Sequence, residues 1–219
     1  MAPEFTVIAR RLGIVSAAGT VSLIVVYAIT LVAGLMSLQS PQQPIGDPLF
    51  SILEILIILM MPFMVALMVA VHAWASSETK TFSLMALVFM ALLAGLTCSL
   101  HFVILTVSHQ AAFAGQSWLA LLEFKWPSVA YALDILAWDV FFPLSVLCAA
   151  PVFGGSRLTT SIRVLMIASG VLALGGLSGV MVGDMQLRNI GIVGYVGVFL
   201  VAALLLAILF YRATPGEAT

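Results

Sequence analysis

Charge is what this 219-residue chain lacks: Asp, Glu, Lys and Arg together make up 8% of it, against about 25% in an average soluble domain. A water-facing surface is built largely from those residues, so a soluble globular domain is excluded. Apolar residues reach 63%, a composition suited to lipid as the solvent. The net charge of −1 offers no basic surface for a nucleic acid. Cysteine is scarce as well. Cys98 and Cys148 both fall in apolar runs without CxxC spacing, which excludes a disulfide framework and leaves two buried thiols. His72, His101 and His109 are the only histidines, and no two of them fall at matching depth in facing segments, which argues against a bis-histidine haem. No HExxH, Walker or GxSxG pattern occurs, so neither a metal nor any other cofactor is assigned.

What the chain does have is six apolar runs, at about 12–38, 49–75, 81–108, 126–153, 162–185 and 190–211. A membrane-spanning helix needs roughly 20 such residues at about 1.5 Å each. The expected fold is an all-α integral membrane protein, a bundle of six transmembrane helices in a single domain over 1–219. Little chain remains for a soluble domain, so any site lies in or against the bilayer. Arg10-Arg11 precedes a run too long for a signal peptide, and a retained first span is expected.

The basic residues orient the bundle. With a cytoplasmic N-terminus, Arg10, Arg11, Lys80, Arg157, Arg163 and Arg212 fall inside and only Lys125 and Arg188 outside. The positive-inside rule then places both termini in the cytoplasm, in a bacterial inner membrane. The segment from Phe113 to Trp126 carries Trp118 and Trp126 and reads as a short helix anchored at the outer interface, or a lid over a pocket.

Small residues mark packing faces. Gly175, Gly176, Gly179 and Gly183 in the fifth span, with Gly191, Gly194 and Gly197 in the sixth, permit close backbone approach in lipid. The partner is either the other helix or a second protomer, so a homo-oligomer through these spans is one expectation. On the first span Ser16, Thr20, Tyr27, Thr30 and Gly34 form one stripe, expected to face the bundle.

Two aspartates, Asp134 and Asp139, lie inside the fourth span, in the run from Tyr131 to Pro143. A charged group at the bilayer centre costs at least about 2.5–3.5 kcal/mol, which makes such residues functional-site candidates. Counting from mid-span, Asp139 falls near the midplane, with Asp134 about 7 Å, His101 about 9 Å and Glu54 about 12 Å toward the outside. Tyr195 and Asp184 belong to the same outer half. His101 shares a stripe with Thr97, Cys98 and Ser108, while His72 and His109 sit near opposite interfaces and read as hydrated. On a regular α-helix Asp134 and Asp139 point about 140° apart, so one faces a pocket while the other pairs with a neighbouring helix. Pro143 cannot donate to the carbonyl of Asp139, which frees a backbone acceptor beside the carboxylate.

The resulting expectation is an outward-opening pocket that binds or translocates a small cationic or hydrophobic ligand. Asp139 and Asp134 supply charge, His101 and Glu54 a rim or proton relay, and Trp138 and Tyr27 aromatic walls. An intramembrane enzyme acting on a lipid or isoprenoid by acid–base or metal-assisted chemistry is the second expectation. A non-catalytic assembly factor is the third.

Overall fold

The computed structural model describes residues 5–40, 43, 45–107, 110, 112 and 115–214. Six helices are long and apolar enough to cross a membrane, the makeup of an integral membrane protein: α1 (Val7–Met36), α2 (Leu49–Trp74), α3 (Lys80–Val107), α4 (Val129–Val152), α5 (Arg157–Val182) and α6 (Met185–Arg212). Among the described residues there is no strand. Each span lies within a few residues of its sequence-based position except the first and the starts of the fifth and sixth, which begin about a turn earlier.

The ends of these helices are written in local chemistry. Thr6 caps α1 by accepting from the Ala9 N–H, and Ser128 caps α4 by accepting from the Tyr131 N–H at 3.0 Å. Ser156 and Thr159 form a reciprocal capping pair at the start of α5. Arg10 on α1 donates through Nε to the Phe210 carbonyl and through Nη2 to the Tyr211 carbonyl, satisfying the last turn of α6. That contact joins the first helix to the last.

Consecutive helices pack side by side, and α6 returns against α1, so the six close into a ring. Arg10, Arg11, Lys80, Arg157, Arg163 and Arg212 gather at the end where α1 begins and α6 finishes. Large apolar side chains remain exposed around the outside, as Ile29, Phe102 and Val171 do at 65, 60 and 57%. A solvent of lipid rather than water explains that surface.

The interior is divided. One apolar cluster runs from the basic end through Met61, Met64, Met68, Phe142, Phe199 and Phe210. A second, smaller one holds Leu100, Ile104 and Ala130 near the opposite end. Along α2 and α4, Glu54 and Asp134 fall between the members of these two clusters, while His101 and Asp139 fall at their adjoining edges.

Neither α4 nor α6 is a uniform α-helix. Leu136–Phe141 in α4 and Val193–Val198 in α6 are π-helical. The Phe142 N–H reaches back five residues to Ala137, and the Phe199 N–H five residues to Gly194. In α4 this turn directly precedes Pro143, where the ordinary ladder loses a donor. The disruption expected around the Asp139 carbonyl thus takes the form of a widened turn.

The connections at the end opposite the basic residues differ from expectation in detail. Ser117–Leu121 forms a short 3-10 helix, while Phe113 lies outside the described residues. The Gln186–Asn189 region is not a plain loop: Met185–Arg188 forms the 3-10 start of α6.

Candidate functional site

Five buried ionisable side chains meet between the two apolar clusters: Glu54 from α2, His101 from α3, Asp134 and Asp139 from α4, and Arg188 from α6. None exposes more than 5% of its surface. The Arg188 guanidinium donates from Nε to Asp139 Oδ2 at 2.8 Å and from Nη2 to Asp134 Oδ2 at 2.5 Å. His101 lies between two acids, with Nδ1 2.7 Å from Glu54 Oε2 and Nε2 3.6 Å from Asp134 Oδ1. The first distance is a hydrogen bond and the second is an ion-pair separation. The chain Glu54, His101, Asp134, Arg188, Asp139 is therefore continuous across four helices.

The π-turn explains how both aspartates reach one guanidinium. On a regular α-helix they diverge by about 140°. Widening the turn to an i→i+5 repeat brings residues five apart toward the same side. The expectation that one aspartate faces a pocket while the other turns elsewhere is thereby corrected. No periodicity in the sequence marks this turn, although Pro143 stands where one is needed.

Arg188 is the residue that sequence reasoning misplaced. Counted as an outer loop charge, it is 5% exposed, whereas its neighbours Asp184, Gln186 and Asn189 are open to the exterior. An arginine near a helix end ordinarily extends toward water, but this one turns inward. Its guanidinium also lies over the Tyr131 ring, 4.6 Å from the centroid, a cation–π contact. The signal available in the sequence is the mismatch itself: several intramembrane acids, no intramembrane lysine, and one arginine among the charges expected at the outer ends of the spans.

Glycines shape the other side of Asp139. A Cβ on Gly176 or Gly191 would lie 2.7 or 2.6 Å from Asp139 Oδ1, so these two backbones form the cradle in which the carboxylate rests. Gly194 similarly admits the Ser169 carbonyl and Ala173 amide of α5, while Ser169 Oγ donates to the Gly194 carbonyl at 2.9 Å. The small faces of α5 and α6 at these positions serve contacts within the chain.

The aromatic candidates divide. Trp138 is buried against Tyr195, ring centroids 5.0 Å apart, and against Phe142 at 5.9 Å. Tyr27 on α1 is half-buried and within electrostatic reach of Asp134, Glu54 and Arg188. Ser16, Thr20 and Gly34 on the same stripe are buried, as expected of a bundle-facing side. Thr97 is buried beside His101 on α3, whereas Ser108 and His109 lie outside the described residues. His72 is engaged at the other end, with Nδ1 2.8 Å from Ser83 Oγ. Among the described residues, five buried side-chain polar atoms have no hydrogen-bond partner: Thr20 Oγ1, Thr97 Oγ1, His101 Nε2, Trp138 Nε1 and Asp139 Oδ1. Three of them belong to the site candidates His101, Trp138 and Asp139.

A cleft of about 460 Å³ opens at the end opposite the basic residues, lined by Gln43, Phe124, Lys125, Trp126, Tyr131, Gly183, Asp184 and Met185. The segment before α4 thus supplies a wall through Phe124, Lys125 and Trp126. Tyr131 belongs to both cleft and network, facing one and stacking on Arg188 in the other. Glu54, Asp134, Asp139 and His101 do not line this cleft; they lie behind it. Among the described residues no group of three His, Cys, Asp or Glu side chains is placed to hold a metal ion.

The charge balance of the network follows from its geometry. With both imidazole nitrogens facing carboxylates, the doubly protonated ring suits His101 best. Three carboxylates then meet one imidazolium and one guanidinium, leaving one negative charge unmatched. Asp139, whose Oδ1 has no partner, is where that charge is least compensated. No protein-family model matches the chain, and neither a curated protein nor a solved structure is similar to it.

Proposed function

We propose that this protein lies in a bacterial inner membrane, with both termini cytoplasmic, and binds or translocates a small cationic or hydrophobic ligand that enters through the outer cleft. The observation that carries this reading is the unmatched negative charge at Asp134 and Asp139, separated from the cleft by one aromatic ring, Tyr131. Phe124, Trp126, Tyr131 and Met185 provide an apolar and aromatic lining suited to a hydrophobic cation. Asp139 supplies the compensating charge, and Glu54 and His101 carry a proton that moves as the ligand arrives or leaves. Trp138 and Tyr27 supply aromatic walls around the carboxylates behind the cleft. The concentration of basic residues at the end holding both termini supports the orientation.

Equilibrium binding of radiolabelled tetraphenylphosphonium to protein in lipid nanodiscs tests this reading. Wild type is expected to bind saturably, and Asp139→Asn to lose that binding while remaining folded and monodisperse. Equal binding by both proteins, or none by wild type, contradicts the proposal.

A further inference from the structure

Arg188 already occupies the place that a cationic ligand would seek. Its Nε and Nη2 take one oxygen from each aspartate, at 2.8 and 2.5 Å. We infer that Arg188 is a tethered competitor for the cation site between Asp134 and Asp139, and that a ligand cation binds by displacing its guanidinium outward into the cleft. This inference rests on the reading that the carboxylates bind a cationic ligand, and it names how access to them is controlled.

Three features carry it. First, Arg188 is attached where α6 is least anchored in regular helix. It ends the four-residue turn Met185–Arg188, which follows Gly183 in the left-handed region at φ 78° and the exposed Asp184. A Cβ on Gly183 would meet nothing within 4 Å, whereas one on Gly179 would lie 3.0 Å from the Asp184 carbonyl and 3.1 Å from the Arg188 amide, so the backbone of the turn is held against α5 and the guanidinium moves by rotation of its own side chain.

Second, the turn and the cleft are one structure. Gly183, Asp184 and Met185 line the cleft and lead directly into Arg188. The guanidinium itself is covered on one face by Tyr131, another cleft residue. Outward movement carries the side chain past that ring toward Asp184, the acid in the cleft wall. A charge leaving Asp134 and Asp139 therefore has a second carboxylate to approach.

Third, the surroundings leave the arginine opposed by more acid than it neutralises. Asp134 and Asp139 face it from α4, with Tyr131 beside them, and Tyr195 lies nearby on its own helix. Behind Asp134 stand His101 on α3 and Glu54 on α2, and Tyr27 approaches from α1. The facing side of α5 presents Gly179, close against the Arg188 backbone, rather than a charge. Removing the guanidinium raises the negative charge at the site and vacates the contact positions on both aspartates.

The test compares tetraphenylphosphonium binding by wild type, Arg188→Gln, Arg188→Lys and Arg188→Gln/Asp134→Asn in the same nanodiscs. Loss of the competitor is expected to tighten binding by about tenfold or more in Arg188→Gln. Arg188→Lys retains the charge but cannot bridge two carboxylates as a planar fork does, and intermediate affinity is expected. The double variant restores the charge balance and returns toward wild type. Weaker or unchanged binding in folded Arg188→Gln overturns the inference, while loss of binding in Asp139→Asn would still uphold the binding reading. If Arg188→Gln does not fold, Arg188→Lys decides by the same comparison. Failure of both to fold overturns the inference and makes Arg188 a structural partner. No binding by wild type removes the reading and the inference together.

Discussion

Replacing Gly191 by Ala puts the packing around Asp139 to a strict test. The new methyl carbon would lie 2.6 Å from Asp139 Oδ1, with Tyr195 Cε1 at 3.4 Å and the Ala173 carbonyl at 3.5 Å. The carboxylate cannot simply withdraw, because it is fully buried and its other oxygen accepts from Arg188 at 2.8 Å. Either α5 and α6 move apart, at the usual overpacking cost of about 1–3 kcal/mol, or the ion pair is disturbed, for which up to about 3–5 kcal/mol is expected. Alanine's better helix propensity returns no more than about 1 kcal/mol. Taking a net loss of about 1–3 kcal/mol, the unfolding midpoint falls by about 2–12 °C for a chain of this size. Thermal unfolding in detergent, followed with a thiol-reactive dye at the half-buried Cys98 and Cys148, measures it. The same substitution made in Asp139→Ala, where the opposing oxygen is gone, should cost at least about 1 kcal/mol less. An unshifted midpoint, or the same cost in both backgrounds, refutes the cradle.

Further outcomes follow from individual contacts. Glu54→Ala removes the acid bonded to His101 at 2.7 Å and is expected to cost about 3–5 kcal/mol, less in His101→Ala, as a double-mutant cycle of unfolding midpoints will show. Ser145→Ala breaks the buried Oγ bond to the Ala86 carbonyl that ties α4 to α3, for a loss of about 1 kcal/mol in the same assay. Gly183→Ala meets no neighbour but forces a side chain into the left-handed region at φ 78°, costing about 1–2 kcal/mol. Trp138→Phe removes a buried Nε1 donor that has no partner, so its midpoint should stay within about 1 kcal/mol of wild type despite the lost ring area.

The six helices were legible because lipid imposes a coarse rule, about 20 apolar residues per crossing, and chain length enforces it. The layer of Glu54, His101 and Asp134 was legible for a related reason. Depth follows from counting along a span, and these residues share a depth although they come from different helices. Rotation about each helix axis was harder to read. The angle of about 140° between Asp134 and Asp139 holds for a regular α-helix, and the π-turn at Leu136–Phe141 changes it. Pro143 signals a disturbed ladder without saying which form it takes. Arg188 escaped for another reason: a side chain at a helix end can extend either outward or inward, and only the position of its partners decides. The spacing of the glycines in α5 and α6 signals helix contacts, and Gly175, Gly176, Gly179, Gly191 and Gly194 make them. That Gly176 and Gly191 enclose a carboxylate follows only once α4 is placed beside them.

Proton release on ligand binding tests the central claim most directly. In weakly buffered solution, titrating tetraphenylphosphonium into the purified protein is predicted to release about one proton per cation bound, because the proton carried by Glu54 and His101 leaves as the cation reaches the carboxylates. Asp139→Asn is predicted to release none. Binding by wild type without proton release, or release of the same size from Asp139→Asn, contradicts the account.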